Sequence, residues 1–139
     1  MDPNSVSDWL SAARERAADA DAVLAGRPDS IGSVYLVGYS IECCLKAYLT
    51  SIGRKAPTSG REGHNLTSLW IACGFRKADV ADSTGCKTFF VDQWSTGLRY
   101  EVRLVATTQI ADLVPGARHL SGWIHQQLMR AKARGRRRR

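Results

Sequence analysis

At 139 residues with 44% hydrophobic side chains, the chain has the size of one domain and enough apolar material for a core, which excludes global disorder. Its net charge of +7 is unevenly placed: Arg130, Lys132, Arg134, Arg136, Arg137, Arg138 and Arg139 carry seven positive charges with no acid among them, and the stretch before them holds 13 basic and 13 acidic residues. The expected organisation is therefore a neutral body over 1–129 and a basic, disordered tail over 130–139. Arg134, Arg136, Arg137, Arg138 and Arg139 in that tail are candidates for holding nucleic acid through counterion release, the alternative being a solvated end that aids solubility.

The most apolar run, Ile31 to Leu49, is interrupted by Glu42 and Lys46 and is a core helix rather than a membrane span. Met1-Asp2-Pro3-Asn4 offers no basic and then apolar leader, so a cytosolic location is expected. Cys43, Cys44, Cys73 and Cys86 contain no Cys-x-x-Cys pair and read as small buried hydrophobes. With His64, His119 and His125 they give no zinc-motif spacing, so neither a metal nor a cofactor is expected.

In chain order, the spacing predicts a first helix from about Ser5 to Ala25. Ser5 and Asp8 have the spacing of an N-terminal cap, Trp9, Ala13, Ala17, Ala20 and Leu24 share a face, and Gly26 with Pro28 stops it. A second helix over Ser30 to Ile52 is apolar nearly all round, as in the middle of a bundle, and at about 22 residues is too long for a buried strand. Gly53 to Gly63 is a polar loop. A third helix starts near His64 or Asn65 and ends at Gly74, with Leu66, Leu69, Trp70 and Cys73 as its stripe. Arg76 to Gly85 lacks pattern and reads as loop. A short helix over Cys86 to Trp94 turns Phe89, Phe90 and Trp94 inward. Val102 to Val105 has no strand to pair with. The last helix runs from Thr107 or Thr108 to about Ala133, with Pro115-Gly116 expected to kink or break it. The fold class is all-α, an antiparallel up-and-down bundle of four to five helices.

The second helix reads Tyr35-Leu36-Val37-Gly38-Tyr39-Ser40-Ile41-Glu42-Cys43-Cys44-Leu45-Lys46. A small residue amid aromatics followed by Glu-x-x-x-Lys resembles the second helix of many prokaryotic HEPN (higher eukaryotes and prokaryotes nucleotide-binding) proteins. Gly63-His64-Asn65-Leu66 looks like that family's helix start, Trp94 through Leu98-Arg99-Tyr100 like its Trp…Arg-Tyr segment, and Trp123-Ile124 also fits; together these span roughly positions 7–128. The resemblance implies a homodimeric bundle that handles RNA or a nucleotide, often in toxin–antitoxin or phage-defence systems, with an antitoxin or a nucleotidyltransferase as partner. Many active members are metal-independent ribonucleases with a late Arg, four to six residues, then His. This chain departs from that pattern, since no histidine follows Arg99 at the matching distance. Arg118 and His125 have a permitted spacing and fall on one helix face two turns apart, although later in the chain than the resemblance implies.

Glu42 and Lys46 stand in the favourable Glu-before-Lys order. They form either a ligand pocket, with Lys46 on phosphate and Glu42 orienting a base or an arginine, or a partly buried ion pair that fixes helix register. His64 is either a proton donor or anion contact near a helix start, or a capping histidine bonded to Glu42 or to backbone. Arg99 is either a phosphate ligand with Tyr100 stacking on a base, or a partner of Glu42 with Tyr100 capping the core. Metal-free RNA cleavage needs an activating base, a proton donor and a cation, roles that His64, Arg99 and Lys46 fill only if the fold brings them together. No Walker loop or catalytic triad motif is present. Two functions remain: a binding module without catalysis, or a ribonuclease toxin. A purely structural dimerisation bundle is the plainest alternative.

Overall fold

The computed structural model describes residues 3–57, 64–104 and 108–137, which form five α-helices and no strand. α1 spans Val6–Gly26, α2 Gly32–Ser51, α3 Leu66–Ala72, α4 Thr88–Asp92 and α5 Ile110–Arg137, with short 3-10 turns at Lys77–Asp79 and Thr96–Tyr100. They make the expected antiparallel bundle, with α2 at its centre between α1 and α5.

The capping expected at the start of α1 is present: the Ser5 hydroxyl accepts the N–H of Asp8 at 3.1 Å, while the Asp8 carboxylate accepts the N–H of Asn4 at 3.4 Å. Trp9, Ala13 and Ala20 are buried. The Ser40 hydroxyl on α2 donates to the carbonyl of Ala13 at 2.8 Å, joining the two helices at a point where only small side chains separate them. Fourteen of the 20 residues of α2 are buried, as its all-round apolar sequence predicts. Its start is held by Ser30, whose hydroxyl accepts the N–H of Gly32, and Gly53 follows it at φ 79°.

α3 is capped by Asn65, which accepts the N–H of Ser68 at 3.0 Å. Its Trp70 stacks on Trp123 of α5 at 5.4 Å between ring centroids, and Phe75 packs edge-on against both. α4 is shorter than expected, but Phe89, Phe90 and Trp94 are buried as the pattern requires. The stretch before it is less featureless than its sequence suggests. Asp82 accepts the N–H groups of Lys87 and Thr88 and the Thr88 hydroxyl. Residues 102–104 pair with no strand, and Val105 lies outside the described residues.

α5 corrects three expectations. It begins at Ile110, and Thr107 lies outside the described residues. It runs unbroken through Pro115 and Gly116. Pro115 falls in the second turn, where the carbonyl deprived of its partner is close to the helix start, and a Cβ on Gly116 would lie 2.7 Å from Cβ of Cys86 and 2.8 Å from its carbonyl oxygen. The glycine thus admits the Cys86 loop against the helix instead of ending it. Finally, α5 continues through residues 130–137, so the basic segment is helical up to Arg137 where disorder was expected. Alanine, lysine and arginine are good helix formers, and cations suit the negative end of a helix. Leu113, Val114, Leu120, Ile124 and Leu128 seat α5 on the core, and Arg118 pairs with Asp21 of α1. No helix of the described residues is long and apolar enough to cross a membrane.

Candidate functional site

Tyr35, Tyr39, Glu42 and Lys46 follow one another at steps of four, three and four, so α2 lines them along one face. Glu42 lies near the middle of that row, 4% exposed. Its Oε2 accepts a hydrogen bond from Lys46 Nζ at 3.1 Å, and its Oε1 lies 2.8 Å from Nδ1 of His64. Lys46 is only 1% exposed, with its ammonium 5.0 Å from the centroid of the Trp9 ring. A buried carboxylate serving two nitrogens, with an aromatic face over the lysine, satisfies charges that would be costly alone.

Gly38 seats the aromatic half of the site. Its missing side chain is replaced by the indole of Trp94, whose Nε1 donates to the carbonyl of Val34 at 3.2 Å. Tyr39 packs edge-on against Trp94 at 5.3 Å and against His64 at 5.8 Å, and its hydroxyl lies 2.9 Å from that of Tyr35. Burial and then the Tyr35 hydroxyl hold the Tyr39 phenol protonated well above its ordinary range. Tyr35 in turn stacks on Trp94 at 6.4 Å.

Beside Tyr35 the turn between α1 and α2 and the segment after Trp94 enclose an open cleft of ≈ 730 Å³. Arg27, Asp29, Gly32, Tyr35, Arg99 and Glu101 line it. The guanidinium of Arg99 lies 4.8 Å from the Tyr100 ring centroid. The cleft opens onto the positive end of α2, whose first turn carries no acid.

Glu42, Lys46 and His64 therefore come together, and the histidine is bonded to Glu42 as one of its two readings required. Lys46 does not reach the surface, so in this conformation it contacts no phosphate. Arg99 does not pair with Glu42, whose oxygens His64 and Lys46 occupy. Tyr100 does not cap the core but is 76% exposed. His64, with its side chain 39% exposed, makes no hydrogen bond to Arg99 among the described residues; the Tyr39 ring packs against the histidine, and Arg99 lies on the side of Tyr35. Arg118 is bound to Asp21 and His125 is exposed further along α5; neither hydrogen-bonds to the Glu42 cluster among the described residues. Arg134, Arg136 and Arg137 are exposed on α5, while Gly63, Arg138 and Arg139 lie outside the described residues.

All four cysteines are buried thiols. Burial pushes Cys43 and Cys73 up to about 12 and Cys44 to about 11, so these three are inert at neutral pH. Among the described residues no three metal-ligating side chains gather. The contributions of Trp9, Arg27 and Tyr35 went unread in sequence, although the spacing from Tyr35 to Lys46 held the signal for the third. Against family models, curated proteins and solved structures, the chain finds no match.

Proposed function

We propose that the protein is a HEPN-type helical module acting in RNA- or nucleotide-linked stress or defence, homodimeric, and binding rather than cutting its ligand. The observation that carries this reading is the gathering of Gly38, Tyr39, Glu42, Lys46, His64 and Trp94, drawn from three separate parts of the chain, into one connected cluster. These are among the residues on which the resemblance rests. Their assembly makes Glu42 and Lys46 an internal brace and His64, Tyr35, Arg99 and Tyr100 the ligand-facing members. The cleft beside Tyr35 offers Arg27, Arg99 and the start of α2 to the phosphate end of a nucleotide or RNA, Asp29 and Glu101 on the same lining to its hydroxyl or amino groups, and exposed Tyr100, outside the lining but next in chain to Arg99, as a stacking surface. An antitoxin or a nucleotidyltransferase is the partner this reading calls for.

The test is incubation of the purified protein with total RNA and tRNA in EDTA, read both as binding and as cleavage. Binding without cleavage, weakened at least tenfold by Arg99→Ala, is the expected result; no binding sinks the reading. Light scattering should give twice the mass of one chain. A second reading, metal-independent ribonuclease, is favoured by one feature: Glu42 fixes His64 through Nδ1, the arrangement that orients an imidazole for proton transfer at its other nitrogen. Cleavage lost in His64→Ala but kept in His125→Ala would replace the module with that enzyme. Loss in His125→Ala would return the centre to Arg118 and His125.

A further inference from the structure

α5 buries its last large side chain at Leu128, yet the helix runs on for nine residues to Arg137. This stretch carries Arg130, Lys132, Arg134, Arg136 and Arg137, all exposed, and no acid. The five cations do not form one undivided cloud. Lys132 and Arg136 line a shallow cleft with Ser51, the last residue of α2, where the negative end of that helix favours cations. Arg130, Arg134 and Arg137 recur at four and three residues and so share a different face, turned about 100° or more from the first. Their row spans about 10 Å along the axis.

We infer that this arm is a nucleic-acid backbone clamp, in which the Arg130–Arg134–Arg137 row grips successive phosphates while Lys132 and Arg136 hold the arm against the end of α2. The charge of the partner follows from the arm, which has five cations and no counter-charge of its own on a body of balanced charge. The arrangement also carries a built-in coupling. Arg130 with Arg134, Lys132 with Arg136, and Arg134 with Arg137 are like charges at helix-neighbour spacing, and each pair opposes the helix. Phosphates that neutralise the Arg130–Arg134 and Arg134–Arg137 pairs remove that opposition, so binding tightens the helix it uses. A guanidinium fork suits phosphate better than an ammonium does, and the outward row is arginine throughout. The arm lies at the opposite end of α2 from the Tyr35–Arg99 cleft, so its action stands independently of any ligand there.

The experiment measures affinity of the full chain for a single-stranded 20-nucleotide RNA as a function of KCl. Two variants are compared with the unmodified chain: Arg130→Gln with Arg134→Gln and Arg137→Gln, and Lys132→Gln with Arg136→Gln. All five positions are exposed, and glutamine keeps the helix. The triple variant should lower the slope of log affinity against log salt by about 2, three contacts at about 0.7 each on a single strand, and the double variant by less than half as much per charge removed. Amide exchange over 129–137 should slow when RNA is added. An unchanged slope in the triple variant overturns the proposal, as does an equal loss per charge in both variants, which would mean an undirected charge cloud. Unaltered amide exchange overturns the coupling. Stronger retention on vesicles of anionic lipid than on RNA, abolished by the triple variant, would reassign the arm to a membrane surface.

Discussion

The indole of Trp94 occupies the space that a side chain on Gly38 would fill, and hydrogen-bonds through Nε1 to the carbonyl of Val34 one turn earlier on the same helix. A loop aromatic is thereby locked onto the backbone of the central helix. Tyr35 and Tyr39 pack against it, and through Tyr39 it borders the histidine that Glu42 holds.

Gly38→Ala tests this seat with a diagnostic sign. Within a helix, alanine is favoured over glycine by about 1 kcal/mol. Here the added methyl would overlap the ring, and overpacking of that kind costs about 3 kcal/mol. A fall in the urea midpoint, with loss of the near-ultraviolet signal of the packed indole, is expected. A variant as stable as the parent, or more so, would show that the indole is not held there.

The Glu42 brace predicts unequal costs for its two members. Glu42→Ala strands the Lys46 ammonium in the core and should cost about 3–5 kcal/mol. Lys46→Met should cost less, because Glu42 keeps its bond to His64 and methionine fills the lysine's place beneath Trp9. Glu42→Gln combined with Lys46→Met removes both charges and should recover most of the loss. Chemical denaturation of the three variants orders them. If Lys46→Met proved the costlier single change, the division of labour described for Glu42 would be wrong.

How legible this was from sequence differs between elements for physical reasons. α2 could be read directly because apolar character all round a 20-residue stretch has few structural outcomes, and the starts of α1 and α3 could be read because a cap is a local hydrogen bond between near neighbours in sequence. The course of α5 could not, since proline and glycine are helix breakers by propensity. That Pro115 falls near the helix start, and that Gly116 makes room for Cys86, are tertiary facts. The site divides similarly. The pairing of Glu42 with Lys46 is written in a four-residue step, whereas the choice of His64 over Arg99 as second partner depends on how a distant loop returns to α2.

Asp82 gives the molecule a defined acid sensitivity. Burial alone would raise its carboxyl, but hydrogen bonds from the Thr88 N–H and hydroxyl and the Lys87 N–H prevail and hold it below the ordinary 3.8. A lowered folded value means the contribution is fully present above the unfolded carboxyl value and is lost as pH falls through the folded one. Asp82→Asn should therefore destabilise the protein at pH 7, with the gap from the parent closing below about pH 3.8 as the parent's own carboxyl is protonated. Thermal melts between pH 7 and pH 2.5 would show this. A gap of constant size across that range would remove Asp82 as the cause.

The placement of α2 between its two long neighbours also sets an order of assembly. Five residues separate α1 from α2, whereas 58 separate α2 from α5. Closing the short connection costs less chain entropy, so α1 and α2 are expected to pair before α5 docks, with the amides of Val34 and Ile41 protected earlier than that of Leu120 in pulsed hydrogen exchange. On that order the face of α2 that receives Leu113, Leu120, Ile124 and Leu128 would be the last to be covered, so changes confined to α5 should act more on the unfolding rate than on the folding rate.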